Sequence, residues 1–163
     1  MGEASGVVDL RETRSEDCGF LFELYCDVRG PEVAAWGWPA SQRDWFLRMQ
    51  FDAQRSGYEA TYPGANHRII LCDGAAIGRC MTVRAADGLH LVDIALLASH
   101  RNRGIGTGLI RELMKACAED GTSLHLQVTS GNPAQRLYER LGFEAAGTDG
   151  VYLRMKWTAT SQS

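Results

Sequence analysis

The chain has 163 residues, of which 45% are apolar and 23% are charged, and its formal net charge at pH 7 is −3. This length and composition predict a single globular domain, residues 1–163, with its own hydrophobic core. The small charge disfavours a nucleic-acid or membrane partner, no apolar run approaches transmembrane length, and the first six residues lack the features of a secretory signal.

The cysteines give no sign of a metal centre or a disulfide framework. Their number is odd and they are scattered along the chain, at Cys18, Cys26, Cys72, Cys80 and Cys117. Cysteines in apolar periodic segments behave as small core hydrophobes. We therefore expect free thiols, no metal ion and a cytoplasmic location.

Hydrophobic periodicity and turn residues divide the chain into eleven elements. The predicted strands are Val7–Arg11, His67–Cys72, Ala76–Val83, Leu89–Leu97, Leu124–Val128, Phe143–Ala146 and Val151–Trp157. The predicted helices run from the N-cap Ser15 to Gly30-Pro31, from the N-cap Ser41 to near Gly57, from Ile105 to Asp120-Gly121, and from the N-cap Asn132 to Leu141 with Gly142 as C-cap. Thr158–Ser163 is expected to fray.

This order, β-α-α-β-β-β-α-β-α-β-β, predicts an α/β (strictly α+β) domain. Short hairpin turns join several of the strands, so the sheet should be mixed and mostly antiparallel, with helices flanking it.

The segment Arg101–Leu109 reads Arg-Asn-Arg-Gly-Ile-Gly-Thr-Gly-Leu and lies between an apolar strand and an amphipathic helix. A glycine-rich turn at a helix N-terminus presents unhindered backbone N–H groups, which bind phosphate or pyrophosphate well. The sequence therefore predicts a site for a phosphorylated small molecule. Glycines that serve only a tight turn are the alternative interpretation.

A second segment, Asn132–Phe143, follows about 30 residues later and opens a helix after a strand. This pair of segments in this element order resembles the GCN5-related N-acetyltransferase (GNAT) superfamily. The resemblance covers residues 67–157, and the first 65 residues match in element order alone. Ala98, Ser99 and His100 stand where the family commonly has a proline, an acidic residue and an aromatic, and Asn102 replaces a frequent glycine.

The resemblance implies that acetyl-CoA is the co-substrate. The glycine-rich turn would hold the CoA pyrophosphate, and the strand before it would pair its backbone with the pantetheine arm. The implied cofactor-binding residues are Ala95, Leu96, Leu97, Arg101, Asn102, Arg103, Gly104, Ile105, Gly106, Thr107, Gly108, Asn132 and Tyr138.

The resemblance also implies catalytic roles. The Leu96 N–H would face the thioester carbonyl, and Tyr138 would be the general acid that protonates the departing thiolate. Tyr138 also lies on an apolar helix face, so a purely structural ring is the alternative. Asp93 is the nearest candidate for the base, against the alternative of a strand carboxylate with satisfied hydrogen bonds. His125 is expected on a sheet face and His100 in a loop.

The aromatic loop Trp36-Gly37-Trp38-Pro39 lies between the two helices that, by resemblance, wall the acceptor site. We expect Trp36 and Trp38 to contact the substrate, through stacking or a cation–π contact; packing into the core is the alternative.

These observations predict an N-acetyltransferase that moves an acetyl group to a primary amine of a small molecule by direct attack. A protein or peptide acceptor is the first alternative, and a catalytically silent CoA-binding sensor or interaction module is the second. Family members often dimerise, so a homodimer is one expected state.

Overall fold

The computed structural model describes residues 6–159 and confirms the predicted order of helices and strands. The strands are β1 (Val8–Glu12), β2 (Asn66–Cys72), β3 (Ala75–Ala85), β4 (Gly88–Leu96), β5 (Ser123–Thr129), β6 (Glu144–Thr148) and β7 (Tyr152–Thr158). The helices are α1 (Cys18–Ala34), α2 (Ala40–Thr61), α3 (Ile105–Asp120) and α4 (Ala134–Leu141). Most of the predicted frayed tail, residues 160–163, lies outside the described residues.

The strands form one sheet in the order β1-β2-β3-β4-β5-β7-β6. β1 pairs antiparallel with β2, and β7 pairs antiparallel with both β5 and β6. β4 and β5 are parallel, with Gly88, Leu89 and His90 opposite Ser123, Leu124 and His125. A mixed, mostly antiparallel sheet is therefore confirmed.

The described chain divides into two compact units, one made of residues 6–81 with 93–106 and the other of residues 82–92 with 107–159. In the first unit, Leu21 of α1, Phe51 of α2 and Ile69 of β2 form a core cluster, and the rings of Phe22 and Phe51 meet edge to face at 5.4 Å. In the second unit, the largest fully buried side chains are Ile110, Cys117, Leu124 and Met155. Ile110 and Cys117 lie two turns apart on one face of α3, as its predicted amphipathic pattern requires.

The predicted bounds of α1 and α2 are wrong at both ends. α1 begins at Cys18, after a short 3-10 helix (Ser15–Asp17), and not directly after a Ser15 cap. α1 continues through Gly30-Pro31 to Ala34, because Pro31 lies in the last turn and Val33, which is wholly buried there, favours the extra turn. α2 begins after Pro39 rather than at a Ser41 cap, and it runs past Gly57 to Thr61. A glycine inside an exposed helix costs only about 1 kcal/mol, which the packing of Leu47 and Phe51 outweighs.

Within the described residues, no helix is long and apolar enough to cross a membrane.

Candidate functional site

The carboxyl end of β4 carries the backbone groups of the predicted acetyl site. The Leu97 N–H donates to the Ile77 carbonyl of β3 at 2.8 Å. Backbone N–H groups alternate in direction along a strand, so the Leu96 N–H points away from β3. The Leu96 carbonyl accepts a hydrogen bond from Arg101 Nε at 2.9 Å. Of the three predicted backbone positions, Leu97 thus donates its N–H to β3, whereas the N–H of Leu96 points to the side of β4 that faces away from β3.

Gly78 on β3 permits a close approach to this part of β4. A Cβ at this position would lie 2.2 Å from the Ala95 carbonyl oxygen, so no other residue fits without moving a strand. The glycine inside the predicted strand was the sequence signal for this approach.

Asp27, to which no sequence motif pointed, holds the loop after β4 in place through hydrogen bonds. Its Oδ2 accepts hydrogen bonds from the Ala98 backbone at 2.7 Å and from Arg101 Nη2 at 2.9 Å. The Arg101 guanidinium is therefore shared between the Leu96 carbonyl and a carboxylate. Arg101 positions the turn, and its predicted role as a phosphate ligand stays a prediction. Arg103, in the same turn, is exposed.

The predicted phosphate-binding turn has the backbone of a glycine-rich loop. Gly104 has φ +81° and Asn102 has φ +62°. Asparagine is among the few non-glycine residues that enter this left-handed region readily, which explains how it replaces the family's frequent glycine. Ile105 then begins α3 and is buried, and it anchors the helix N-terminus behind the turn.

Gly106 and Gly108 lie in the first turn of α3 with open space in front of them. A Cβ on Gly108 would meet no atom within 4 Å, and one on Gly106 would meet only the end of Leu96, at 3.9 Å. Neither residue has a positive φ. Neither the backbone conformation nor the described neighbours therefore require glycine at these positions, although glycine in a helix costs stability.

Asp93 is paired with Arg79 of β3. Its Oδ2 accepts hydrogen bonds from Nε at 2.8 Å and from Nη2, and Nη2 also donates to Gln54 of α2 at 3.0 Å. The Arg79 side chain is only 7% exposed. This arrangement is the alternative predicted for Asp93, a strand carboxylate with satisfied hydrogen bonds. A cavity of about 90 Å³ lies against Arg79, Asp93 and Ala95, and residues of α1 also line it.

Trp36, Trp38 and Phe46 form a cluster of three rings. The two indoles are 5.2 Å apart and meet the Phe46 ring at 5.3 and 5.5 Å. Trp36 is 43% and Trp38 40% exposed, so both keep a large apolar surface open to solvent. These rings could contact a substrate or could only pack against one another, and the predicted contact of Trp36 and Trp38 with the substrate stays a prediction.

The second motif lies in the other unit. Asn132 Oδ1 accepts a hydrogen bond from the Ala134 N–H at 2.8 Å and so satisfies a donor of the first turn, although α4 begins at Ala134, one residue later than an Asn132 N-cap predicts. Gly142, with φ +104°, ends the helix in the left-handed conformation. Tyr138 packs its ring on the buried Phe143 at 5.7 Å. The ring is therefore anchored, as the structural alternative expects, and its role as general acid stays a prediction.

The two candidate histidines lie in local contacts. His100 Nδ1 contacts Ser99 Oγ at 2.8 Å. His125 stacks on His90 at 4.6 Å, and a hydrogen bond from His90 to Asp87 holds the pKa of that carboxyl below its usual range. The atoms of Asp87, His90 and His125 that could ligate a metal lie within 4.8 Å of one another. The expectation of no metal ion stays a prediction.

Residues 30–143 match the model of the acetyltransferase (GNAT) family. The chain belongs to this family, and the predicted resemblance is confirmed.

Curated relatives match over part of their length. They include an N-alpha-acetyltransferase of Sulfurisphaera tokodaii, 43% identical over 58 residues (34% of this chain and 35% of that protein). N-alpha-acetyltransferase 50 of Danio rerio is 33% identical over 70 residues (40% and 41%). A GCN5-like protein acetyltransferase of Mycobacterium tuberculosis is 31% identical over 112 residues (67% and 46%). The matched segments thus span between a third and a half of these relatives.

Solved structures with the same fold match almost the whole chain. PaiA N-acetyltransferase of Thermoplasma acidophilum, solved in complex with coenzyme A, has a TM-score of 0.68 at 18% identity and covers 94% of this chain and 99% of its own. The ribosomal-protein-S18-alanine N-acetyltransferase of Escherichia coli has a TM-score of 0.65 at 18% identity, covering 96% and 97%. At this identity the likeness concerns the fold.

Proposed function

We propose that this protein is an acetyl-CoA-dependent N-acetyltransferase that acetylates a primary amine of a small molecule by direct attack. The observation that carries the proposal is the pair of glycines at the start of α3, Gly106 and Gly108, which face open space without a structural need for glycine. A phosphate bound close to the backbone would explain why both positions are glycine, because it accepts hydrogen bonds from N–H groups that a side chain would cover. The residues of the turn therefore fit the CoA pyrophosphate.

Acetyl-CoA supplies the activated acetyl thioester. We assign the Leu96 N–H to polarise the thioester carbonyl, which is supported by its direction away from β3. The acceptor amine attacks this carbonyl carbon, the carbon–sulfur bond breaks, and the Tyr138 hydroxyl gives its proton to the thiolate. A phenol of pKa about 10 is protonated at neutral pH and can deliver a proton to a thiolate of pKa about 8.5.

The acceptor amine must lose a proton before or during its attack. Whether Asp93 can take this proton depends on its pairing with Arg79. Because Asp93 Oδ2 already accepts two hydrogen bonds from Arg79, we assign Asp93 to hold Arg79 in place rather than to act as the base. An α-amino group, with a pKa near 8, is partly neutral without help, whereas a lysine-like amine of pKa about 10.4 is almost wholly charged. We therefore favour acceptors with an α-amine or a similarly weak base.

The α-amine of a protein or peptide is the second candidate. The names of two relatives, both N-alpha-acetyltransferases, favour it. The exposed rings of Trp36 and Trp38 favour a small acceptor with an apolar body, since an aromatic wall contacts such a molecule over much of its surface.

Thiol release from acetyl-CoA tests the proposal. The protein is incubated with acetyl-CoA and, in separate reactions, with small α-amines, lysine-like amines and short peptides with free N-termini. We expect release that depends on the acceptor and is fastest with small α-amines. Fastest release with peptides would support the second candidate, and acetyl-CoA binding without release would indicate a silent CoA-binding module.

The Trp38→Ala variant is expected to raise the acceptor KM and to leave acetyl-CoA affinity unchanged, because the loop lies at the proposed acceptor end. Steady-state kinetics with each substrate varied in turn measure both quantities. Trp45→Ala is the matched control, since Trp45 is 65% exposed and lies outside the three-ring cluster. A loss of about 3 kcal/mol in unfolding free energy with normal acceptor kinetics would instead identify Trp38 as a packing residue.

A further inference from the structure

The first unit contains a cavity of about 380 Å³ to which the proposed transfer mechanism assigns no role. It lies between the start of α1, the end of α2 and strands β2 and β3. The side chains with polar or reactive groups that matter here are Arg14, Cys18, Arg55, Tyr58, His67 and Arg79. The volume is typical of sites for small organic molecules.

The charges around this cavity favour an anion. Arg79 is neutralised by Asp93. In the described part of the chain, neither Arg14 nor Arg55 has a carboxylate within the 4.0 Å of an ion pair. Glu59 also lines the cavity and offsets one of these two charges. One guanidinium charge therefore remains uncompensated beside the cavity.

His67 lines the cavity but presents no free hydrogen-bonding atom to it on its Nε2 side. Its Nε2 atom is inaccessible to solvent and has no hydrogen-bond partner among residues 6–159. Burial and the nearby Arg79 charge lower the pKa of His67, so its imidazole is neutral near pH 7. Because water cannot touch Nε2, a ligand oxygen in the cavity would not reach it either.

The remaining walls are apolar and aromatic. The rings of Tyr58 and Tyr62 lie 6.3 Å apart at an angle of 53°, and Leu21 and Met81 also line the cavity. These surfaces fit a flat or apolar body attached to the anionic group.

We infer that this cavity binds a small organic carboxylate with an apolar body, at a site separate from that of acetyl-CoA. The carboxylate oxygens accept hydrogen bonds from Arg55, with Arg14 nearby. The apolar body lies against Tyr58 and Tyr62. A carboxylate suits the site because guanidinium groups match its planar pair of oxygens.

Ligand titration followed by NMR, with no acetyl-CoA present, tests the inference. The probes are phenylacetate and indole-3-acetate, and phenylacetamide is the uncharged match. We expect both carboxylates to bind wild-type protein and the amide to bind at least about tenfold more weakly, the usual effect of losing a charge-assisted hydrogen bond. Arg55→Gln should weaken the carboxylates by a similar factor, and Arg43→Gln on the same helix should not.

Cys18 reports on the location of the bound probe, because it lines the cavity and its Sγ lies 3.4 Å from Arg55 Nη1. Saturating phenylacetate should slow alkylation of Cys18 by iodoacetamide and leave Cys72 unchanged.

Three results would overturn the inference: no binding of either carboxylate, equal binding of phenylacetamide, or equal losses in Arg55→Gln and Arg43→Gln. These readouts do not depend on acetyl transfer, so they stand apart from the test of the proposed function.

Discussion

The Gly106→Asp variant is expected to lose acetyl-CoA binding while the protein remains folded. The new Cβ has room, since its one described neighbour within 4 Å would be the end of Leu96 at 3.9 Å. An aspartate in the first turn of a helix is favourable for the free protein. Its carboxylate would, however, occupy the space in front of the backbone N–H groups and repel the pyrophosphate. Isothermal titration with acetyl-CoA measures the loss, and circular dichroism checks the fold.

The Gly106→Ala variant tests whether residue 106 is glycine because of ligand binding or because of packing in the free protein. Alanine should stabilise the free protein by about 0.5–1 kcal/mol, because a helical glycine is costly, and should weaken acetyl-CoA binding. Gly57→Asp is the matched control, since Gly57 lies inside α2 with nothing near its added Cβ. If Gly106→Asp binds acetyl-CoA as wild type does, the turn does not hold the pyrophosphate.

The Tyr138→Phe variant is expected to lower kcat about a hundredfold or more, which is the usual contribution of a positioned general acid. The ring that packs on Phe143 stays in place, so thermal stability and acetyl-CoA affinity should barely change. The loss should shrink with an acyl donor whose thiol is more acidic, because such a thiolate leaves without a proton. Steady-state kinetics with both donors measure these effects.

Tyr152→Phe is the control for this experiment, because Tyr152 lies on β7 and is 47% exposed. Turnover by Tyr138→Phe within a few-fold of wild type on both donors would mean that Tyr138 has a structural role and that another group, such as water, supplies the proton.

The two motifs could be located from sequence because each depends on local chemistry. The glycines of the 101–108 turn, the cap at Asn132 and the C-cap Gly142 act within a few residues of their own position. The same local rules explain why the order of all eleven elements was predicted correctly. They failed at Gly30-Pro31, where the buried Val33 extends α1 through a sequence that normally ends a helix.

The side-chain pairs of the site could not be predicted, because they join residues far apart in the chain. Asp27 and Arg101 are separated by 74 positions, and Gln54 and Arg79 by 25. Polar residues of this kind are common on helices and strands, and nothing local shows which of them meet. From the sequence, Arg101 is therefore a predicted phosphate ligand, and Asp93 is either a candidate base or a strand carboxylate whose partner is unknown. The structure pairs the first with Asp27 and the second with Arg79.

The turn of residues 101–108 is proposed to bind the pyrophosphate of acetyl-CoA, and thermal unfolding with two matched ligands is the decisive test. Acetyl-CoA at about a hundred times its dissociation constant should add roughly 2.7 kcal/mol to the free energy of unfolding. In a protein of this size that corresponds to a rise in Tm of roughly 5–10 °C. Acetyl-pantetheine, which lacks the pyrophosphate, should give a far smaller shift at the same concentration. Equal shifts with both ligands, or no shift with either, would contradict the claim.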